Sequence, residues 1–139
     1  MPRRSQRVRI AGGVLLLAAF LCLFGLPAIA LAQLYRADNY PGAVLISDQN
    51  LVRYVPNLVF RRTTSFRSDD PFNRVYNWYS NTFSLGPETF AQSNCILMAR
   101  SWTTAWILEQ QMSVMVCNTP KDQMMFVMRS VALRYGSRR

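Results

Sequence analysis

The pattern of apolar residues between positions 68 and 83 has the period of a helix with one buried face. The apolar positions follow the i, i+3, i+4, i+7 spacing that defines such a face. They are Phe72, Val75, Tyr76, Tyr79 and Phe83, with Trp78 widening the stripe. An aromatic face of this kind requires a surface to pack on, because a helix of about four turns is marginally stable alone in water.

A helix start signal precedes this stripe. Asp69 and Asp70 are favourable N-cap residues, and Pro71 suits the first helical position because it needs no partner for an N–H there. The two carboxylates also favour the positive end of the helix dipole. We therefore predict one amphipathic helix over about residues 70–83.

Runs of alternating, β-branched or aromatic residues predict strands on both sides of the helix. They lie at residues 43–47, 51–55 and 58–67 before the helix, and at 94–102, 107–117 and 124–135 after it. We expect a turn at residues 48–50 and a loop or a turn of helix at residues 85–93. The last run is apolar on both faces, which predicts a central strand.

This order of elements predicts an α+β fold. The expected domain is one antiparallel sheet of about four or five strands, arranged as a meander, with the helix covering one face. A connection rich in Asn, Pro and Asp at residues 118–122 predicts a turn between the last two strands.

The N-terminus has the pattern of a membrane-directed segment. A basic start is followed by residues 10–32, a run of 23 positions without a charged side chain. Such a run is long enough to cross a hydrocarbon core of about 30 Å as a helix. The basic flank is expected on the cytoplasmic side, which places the rest of the chain outside the cytoplasm.

Two interpretations of this segment stay open. Ala30 and Ala32 form an A-x-A cleavage site, so the segment is a signal peptide if the chain is cut after Ala32. Its length instead favours a retained anchor, because signal-peptide apolar regions usually span about 7–15 residues. The predicted organisation is a signal peptide or anchor at 1–33, a linker at 34–40, an exported domain at 41–135 and a tail at 136–139.

The net charge of +9 comes partly from the basic start. From residue 34 onward there are 12 basic and 7 acidic residues, a difference of +5. The arginines are scattered, whereas a nucleic-acid-binding domain usually clusters them with stacking aromatics. We expect no nucleic-acid partner. An exported basic domain meets anionic lipid headgroups or acidic partners instead.

Two cysteines lie in the predicted exported domain, Cys95 and Cys117. If residues 94–102 and 107–117 form a hairpin centred near Trp106, Cys95 lies directly opposite Cys117. Thiols in an oxidising compartment tend to pair. We therefore predict a disulfide that closes a loop of 23 residues and stabilises the domain by roughly 3 kcal/mol. Two free buried thiols are the alternative.

The residue types present argue against catalysis. The chain has no histidine, which excludes catalytic triads and dyads that depend on histidine and most zinc and haem sites. Glu88 and Glu109 have no spacing that favours a carboxylate pair. Six methionines follow the leader at strand spacing among valine and phenylalanine, which favours core filling over a copper site. We predict no catalytic residue, metal or cofactor.

Two tryptophans lie near the tip of the predicted hairpin. Trp102 and Trp106 are expected to contact a membrane interface or a protein partner if they are exposed.

A Tyr-Pro-Gly-Ala sequence precedes the first predicted strand, and Ser-Asp-Asp-Pro precedes the predicted helix. The residues that carry this pattern are Tyr40, Pro41, Gly42, Ala43, Ser68, Asp70, Pro71, Val75 and Tyr79. The pattern resembles small, uncharacterised exported or lipid-anchored bacterial domains, which open with Tyr-Pro-Gly-Ala and enter a helix through a Thr-x-Asp-x-Pro type of sequence. The resemblance covers about a third of the chain. It implies a helix-on-sheet fold and no catalytic residue.

These features lead to two functional hypotheses. The first is a non-enzymatic exported or membrane-anchored domain that acts by protein–protein interaction at the outer face of the cytoplasmic membrane. The alternative is an envelope binding module that holds a small apolar or anionic ligand between helix and sheet. A flat apolar patch favours the first, and a cavity under Tyr76 and Tyr79 favours the second.

Overall fold

A computed structural model describes residues 3–86, 88–104 and 107–133. The chain forms two compact units, Met1–Tyr35 and Arg36–Arg139. The predicted tail at residues 136–139 lies outside the described residues.

The first unit is helical. It consists of α1 (Arg3–Phe20), a π-helical turn (Leu21–Gly25) and α2 (Leu26–Leu34). Its apolar portion, Gly12–Leu34, has a mean hydropathy of 2.7 and is long and apolar enough to cross a membrane. By length and composition this helix fits both a signal peptide and an anchor.

The second unit is one six-stranded sheet with one helix. The elements are β1 (Val44–Arg53), β2 (Val59–Ser68), α3 (Phe72–Phe83), β3 (Glu88–Gln92), β4 (Cys95–Thr104), β5 (Leu108–Asn118) and β6 (Gln123–Leu133). The strand order is β1-β2-β6-β5-β4-β3, and all neighbours are antiparallel. The α+β class and the antiparallel sheet are confirmed, but the sheet has more strands than the four or five predicted.

The turn predicted at residues 48–50 does not form, and β1 is one continuous strand through that region. Asp48, Gln49 and Asn50 pair in register with β2. The carboxylate of Asp48 accepts two hydrogen bonds from the guanidinium of Arg62, at 2.7 and 2.9 Å. Cross-strand pairing therefore overrides the local turn preference of these residues.

The loop predicted at residues 85–93 contains a strand, β3. It joins β4 through a two-residue turn in which Ser93 and Asn94 have φ of 51° and 64°. Two residues with positive φ are typical of the tight hairpin turn whose twist matches the flanking strands. Neither residue is glycine, which such turns favour, so the hairpin is hard to predict from these two residues.

The order of strands departs from a simple meander. β3 to β6 follow one another across the sheet, but β2 pairs with β6 and not with β3. The connection through α3 carries the chain from β2 to the far edge of the sheet. β6 then lies between β2 and β5, which confirms its predicted central position.

The helix start also differs from the prediction. α3 begins at Phe72, and Pro71 occupies the N-cap position with φ −58° and ψ 143°. No side chain caps the helix. The carboxylate of Asp70 instead accepts hydrogen bonds from the hydroxyl of Tyr40 at 2.7 Å and from Arg74 at 3.1 Å. Asp70, which the local sequence offers as a cap, therefore binds Tyr40 and Arg74 instead.

The helix packs on one face of the sheet, called the covered face below. Val75 and Tyr79 of α3 are fully buried there. Alternate residues of the strands meet them, as in the row that pairs Met98 with Val114 and Val114 with Val127. Among the described residues, the largest fully buried side chains are Val75, Tyr79, Met98, Met112, Val114, Val116, Met125 and Val127. The predicted helix-on-sheet packing is confirmed.

Replacing Val75 with alanine tests this packing. The change removes two carbon atoms from a site with no exposure and leaves a cavity, so we expect a loss of about 2–3 kcal/mol in the free energy of unfolding. Asn77→Ala, at an exposed position of the same helix, should change it by less than about 0.5 kcal/mol. Urea unfolding of both variants measures the difference. Equal small effects would contradict the packing.

Candidate functional site

Residues 36–43, most of which the sequence places in a linker, lie against the covered face. The side chain of Asp38 is buried and accepts two hydrogen bonds in bidentate geometry from the guanidinium of Arg129 on β6, which is also buried. The two residues are 91 positions apart, so no local pattern announces the contact. This ion pair fixes the start of the domain to the middle of the sheet.

Burial raises the pKa of the Asp38 carboxyl above its ordinary value of 3.8, and the hydrogen bonds and charge of Arg129 oppose that rise. Because the pKa rises on folding, the folded domain holds a proton at Asp38 more readily than the unfolded chain. This proton linkage favours folding at pH values below 3.8, and its contribution is lost as the pH rises through the folded pKa.

Aromatic side chains surround the ion pair. The hydroxyl of Tyr79 donates to the backbone carbonyl of Asp38 at 3.1 Å, and burial raises the pKa of that hydroxyl. The guanidinium of Arg129 lies 5.5 Å from the ring centroid of Phe83. Trp78 contacts Tyr79 and Phe83 edge to face, with centroids at 4.8 and 5.6 Å. The polar groups of Asp38, Arg129 and Tyr79 have hydrogen-bond partners within the domain, which is typical of a structural network.

The ligand hypothesis places a cavity beneath two tyrosines of α3, both of which pack in the core region. Tyr79 is fully buried and hydrogen-bonded, and Tyr76 packs against the core. An open depression of about 350 Å³ lies elsewhere, between Phe72, the β3–β4 turn, Ile96 and Asn118. Within the described residues, its lining includes neither Tyr76 nor Tyr79.

The other face of the sheet, called the open face below, carries a second set of apolar side chains. The sheet register places Met115 opposite Phe126, Met124 opposite Cys117, and Met128 opposite Ser113. Met115, Met124, Phe126 and Met128, here named the open-face cluster, are half-buried. α3 and the buried residues of 36–43 lie on the covered face, so they do not cover this cluster.

The open face changes character along the strands. The apolar rows lie toward the end of the sheet that carries Cys117. In the row next to Met128, Gln111 pairs with Ser101 on β4 and Ser130 on β6, and the next residue on that face is Glu109. The cluster is therefore a bounded patch with a polar margin, and its Cα positions span roughly 5 Å across the two strands and roughly 13 Å along β6, from ordinary strand spacings.

A disulfide joins Cys95 and Cys117 at the border of this patch. The two residues are direct partners in the β4–β5 register, as the hairpin prediction requires. The bond locks the ends of β4 and β5 beside the apolar rows. The third cysteine, Cys22, is a free thiol in the N-terminal helix.

The two tryptophans predicted for partner contact have different outcomes. Trp102 lies on the covered face, where it is half-buried and packs against the core. It is therefore not an exposed hairpin tip, because the register of β4 turns it toward the helix side. Trp106 lies outside the described residues, so its role stays a prediction.

The open-face cluster also revises the interpretation of the methionines. Met98, Met112 and Met125 fill the core as expected. Met115, Met124 and Met128 point to the open face, where neither α3 nor residues 36–43 pack. The alternation of side chains in β5 and β6 is visible in the sequence, but the pattern alone does not show which of the two faces the helix covers.

Substitutions at the buried ion pair test its structural role. Asp38→Asn removes the carboxylate that the buried guanidinium of Arg129 binds, so we expect a loss of about 3–5 kcal/mol in the free energy of unfolding at pH 7. The double variant Asp38→Asn/Arg129→Met should lose less than Asp38→Asn alone, because it also removes the buried positive charge. Denaturant unfolding measures each value.

The matched control is Asp48→Asn, which breaks the more exposed pair with Arg62. We expect a loss below about 1 kcal/mol there. If Asp38→Asn costs no more than Asp48→Asn, the Asp38–Arg129 pair does not hold residues 36–43 in place.

Comparison of the chain with protein-family models, with curated proteins and with solved structures finds no match. The resemblance expected from the Tyr-Pro-Gly-Ala opening and the helix entry therefore stays a prediction.

Proposed function

We propose that this chain is a non-enzymatic, exported or membrane-anchored domain that binds a protein partner at the outer face of the cytoplasmic membrane. The observation that carries the proposal is the open-face cluster, an apolar patch on the side of the sheet opposite α3. Contiguous apolar patches that a folded domain leaves uncovered often mark interaction sites.

Two features support the location. The N-terminal helix is apolar over Gly12–Leu34 and follows a basic start. The disulfide between Cys95 and Cys117 is of a kind that persists in oxidising compartments. In this proposal the domain is anchored through its N-terminal helix, and cleavage after Ala32 would release it as a secreted domain.

The chemistry of the patch indicates what the partner presents. Methionine side chains are flexible and polarisable, and they adapt to irregular apolar surfaces. Phe126 lies opposite Met115 in the middle of the patch and supplies a rigid aromatic anchor. Arg67 borders the cluster next to Met124 and already pairs with Asp122 at 3.6 Å. The proposed partner surface is therefore apolar.

The alternative, a module for a small apolar or anionic ligand, has one observation in its favour. The depression against Phe72 and Ile96 has an apolar wall and the size of a small ligand site. It lies beside the first residue of α3 and the β3–β4 turn, and its lining includes neither Tyr76 nor Tyr79, beneath which a ligand was expected. The open-face cluster lies on a sheet face that neither α3 nor the buried residues of 36–43 cover, so we favour the protein partner.

Site-specific photocrosslinking tests the proposed surface. A photoreactive phenylalanine derivative in place of Phe126 should give a discrete adduct with another protein in intact membranes, because it sits in the centre of the patch. The same group in place of Asn81, an exposed residue of α3, should give no such adduct. Mass spectrometry of the adduct identifies the partner.

A matched pair of substitutions controls for specificity. Met115→Asp places a charge in the apolar rows and should remove most of the adduct. Gln111→Asp places the same charge on the same strand and face, two rows away, and should leave it. An adduct that forms equally from Asn81, or that survives Met115→Asp, argues against the open face as the binding surface.

A further inference from the structure

The β1–β2 hairpin ends in an exposed apolar tip, defined here as residues 51–58. Tyr54 and Val55 are 75% and 78% exposed, and Leu51 and Val52 are 55% and 42% exposed. β1 is an edge strand, so Leu51 and Val52 have a neighbouring strand on one side only, and Tyr54 and Val55 lie in the connection beyond its end. The tip is distinct from the open-face cluster, which lies around β5 and β6.

The charge of this hairpin has one sign around the tip. Residues 49–68 contain four arginines and no acidic residue. Arg62 is held by Asp48, which precedes this stretch. Arg53 and Arg61 are exposed, and Nε of Arg53 donates to the carbonyl of Val55 at 3.0 Å, which places the guanidinium at the tip.

We propose that the hairpin tip docks on a membrane surface that carries anionic lipids. Tyrosine is enriched at the boundary between headgroups and acyl chains, where its ring is buried and its hydroxyl stays hydrated. Valine and leucine beside it insert into the same zone, and flanking arginines bind the lipid phosphates. Tyr54, Val55 and Arg53 bring these three functions together within three consecutive residues.

The charges favour this occupant over a second copy of the chain. Pairing two β1 edges would bring together two hairpins that each carry exposed arginines and no acid between residues 49 and 68. Like charges at such short range disfavour association. An anionic bilayer offers the opposite charge and an apolar layer in one surface. The same chain also carries a helix apolar enough to enter that bilayer.

Hydrogen–deuterium exchange of the full chain tests the docking. The chain is reconstituted in nanodiscs of phosphatidylcholine alone or of phosphatidylcholine with phosphatidylglycerol at 3:1, so that its apolar helix is embedded in both. We expect the amides of residues 51–58 to exchange about fivefold or more slowly in the anionic discs. The difference should shrink at high salt, because the attraction is screened.

Charge reversal supplies the control. Arg53→Glu/Arg61→Glu should abolish the difference between the two discs. Lys121→Glu reverses an exposed charge in the turn between β5 and β6, at the end of the sheet away from the tip, and should preserve it. Retention of the Cys95–Cys117 disulfide and of slow exchange in β5 shows that the variants are folded.

Two outcomes would overturn the proposal. Equal exchange of the tip in neutral and anionic discs would show that lipid charge does not dock it. Protection that depends on protein concentration and not on lipid composition would assign the tip to contact between copies. Neither outcome affects the proposed protein partner of the open face, whose test uses different residues.

Discussion

The packing of Val75 and Tyr79 against the centre of the sheet determines the arrangement of the rest of the domain. Both side chains are fully buried, and α3 is only 12 residues long. One helix of that length covers part of one face of a six-stranded sheet. The residues that meet it are valines and methionines with almost no exposure. The opposite face carries apolar residues that this helix does not cover, and the proposed partner binds there.

A polar network supplements this packing. Asp38 and Arg129 form a buried pair, and Tyr79 donates to the backbone of Asp38. Tyr40 donates to Asp70 just before the helix. These contacts join the first residues of the domain, the helix and β6. Ions are costly to bury, so this pair contributes more through the position it imposes than through net stability.

Much of the fold could be predicted from the sequence because local periodicity carries it. The helix, the central position of β6 and the Cys95–Cys117 register follow from spacing alone. The continuity of β1 could not be predicted, because Asp48 and its neighbours favour a turn until Arg62 pairs with them. The Asp38–Arg129 pair spans 91 positions and leaves no trace in local sequence.

The candidate surfaces were harder to predict than the fold. Methionines at alternate positions show that a strand has two faces, but only the folded structure shows which face the helix covers. The tip residues Leu51 to Val55 look like an ordinary short strand in sequence. Their exposure follows from the position of β1 at the sheet edge. Surfaces of this kind depend on strand order, which no single stretch of the sequence specifies.

Methionine oxidation tests the division between the two faces most directly. The domain carries three methionines on the covered face, Met98, Met112 and Met125, and three in the open-face cluster, Met115, Met124 and Met128. Brief treatment of the purified chain with hydrogen peroxide, followed by peptide mass spectrometry, gives a rate for each. The account predicts fast oxidation of the open-face set and slow oxidation of the covered set. Equal rates, or the reverse order, would contradict it.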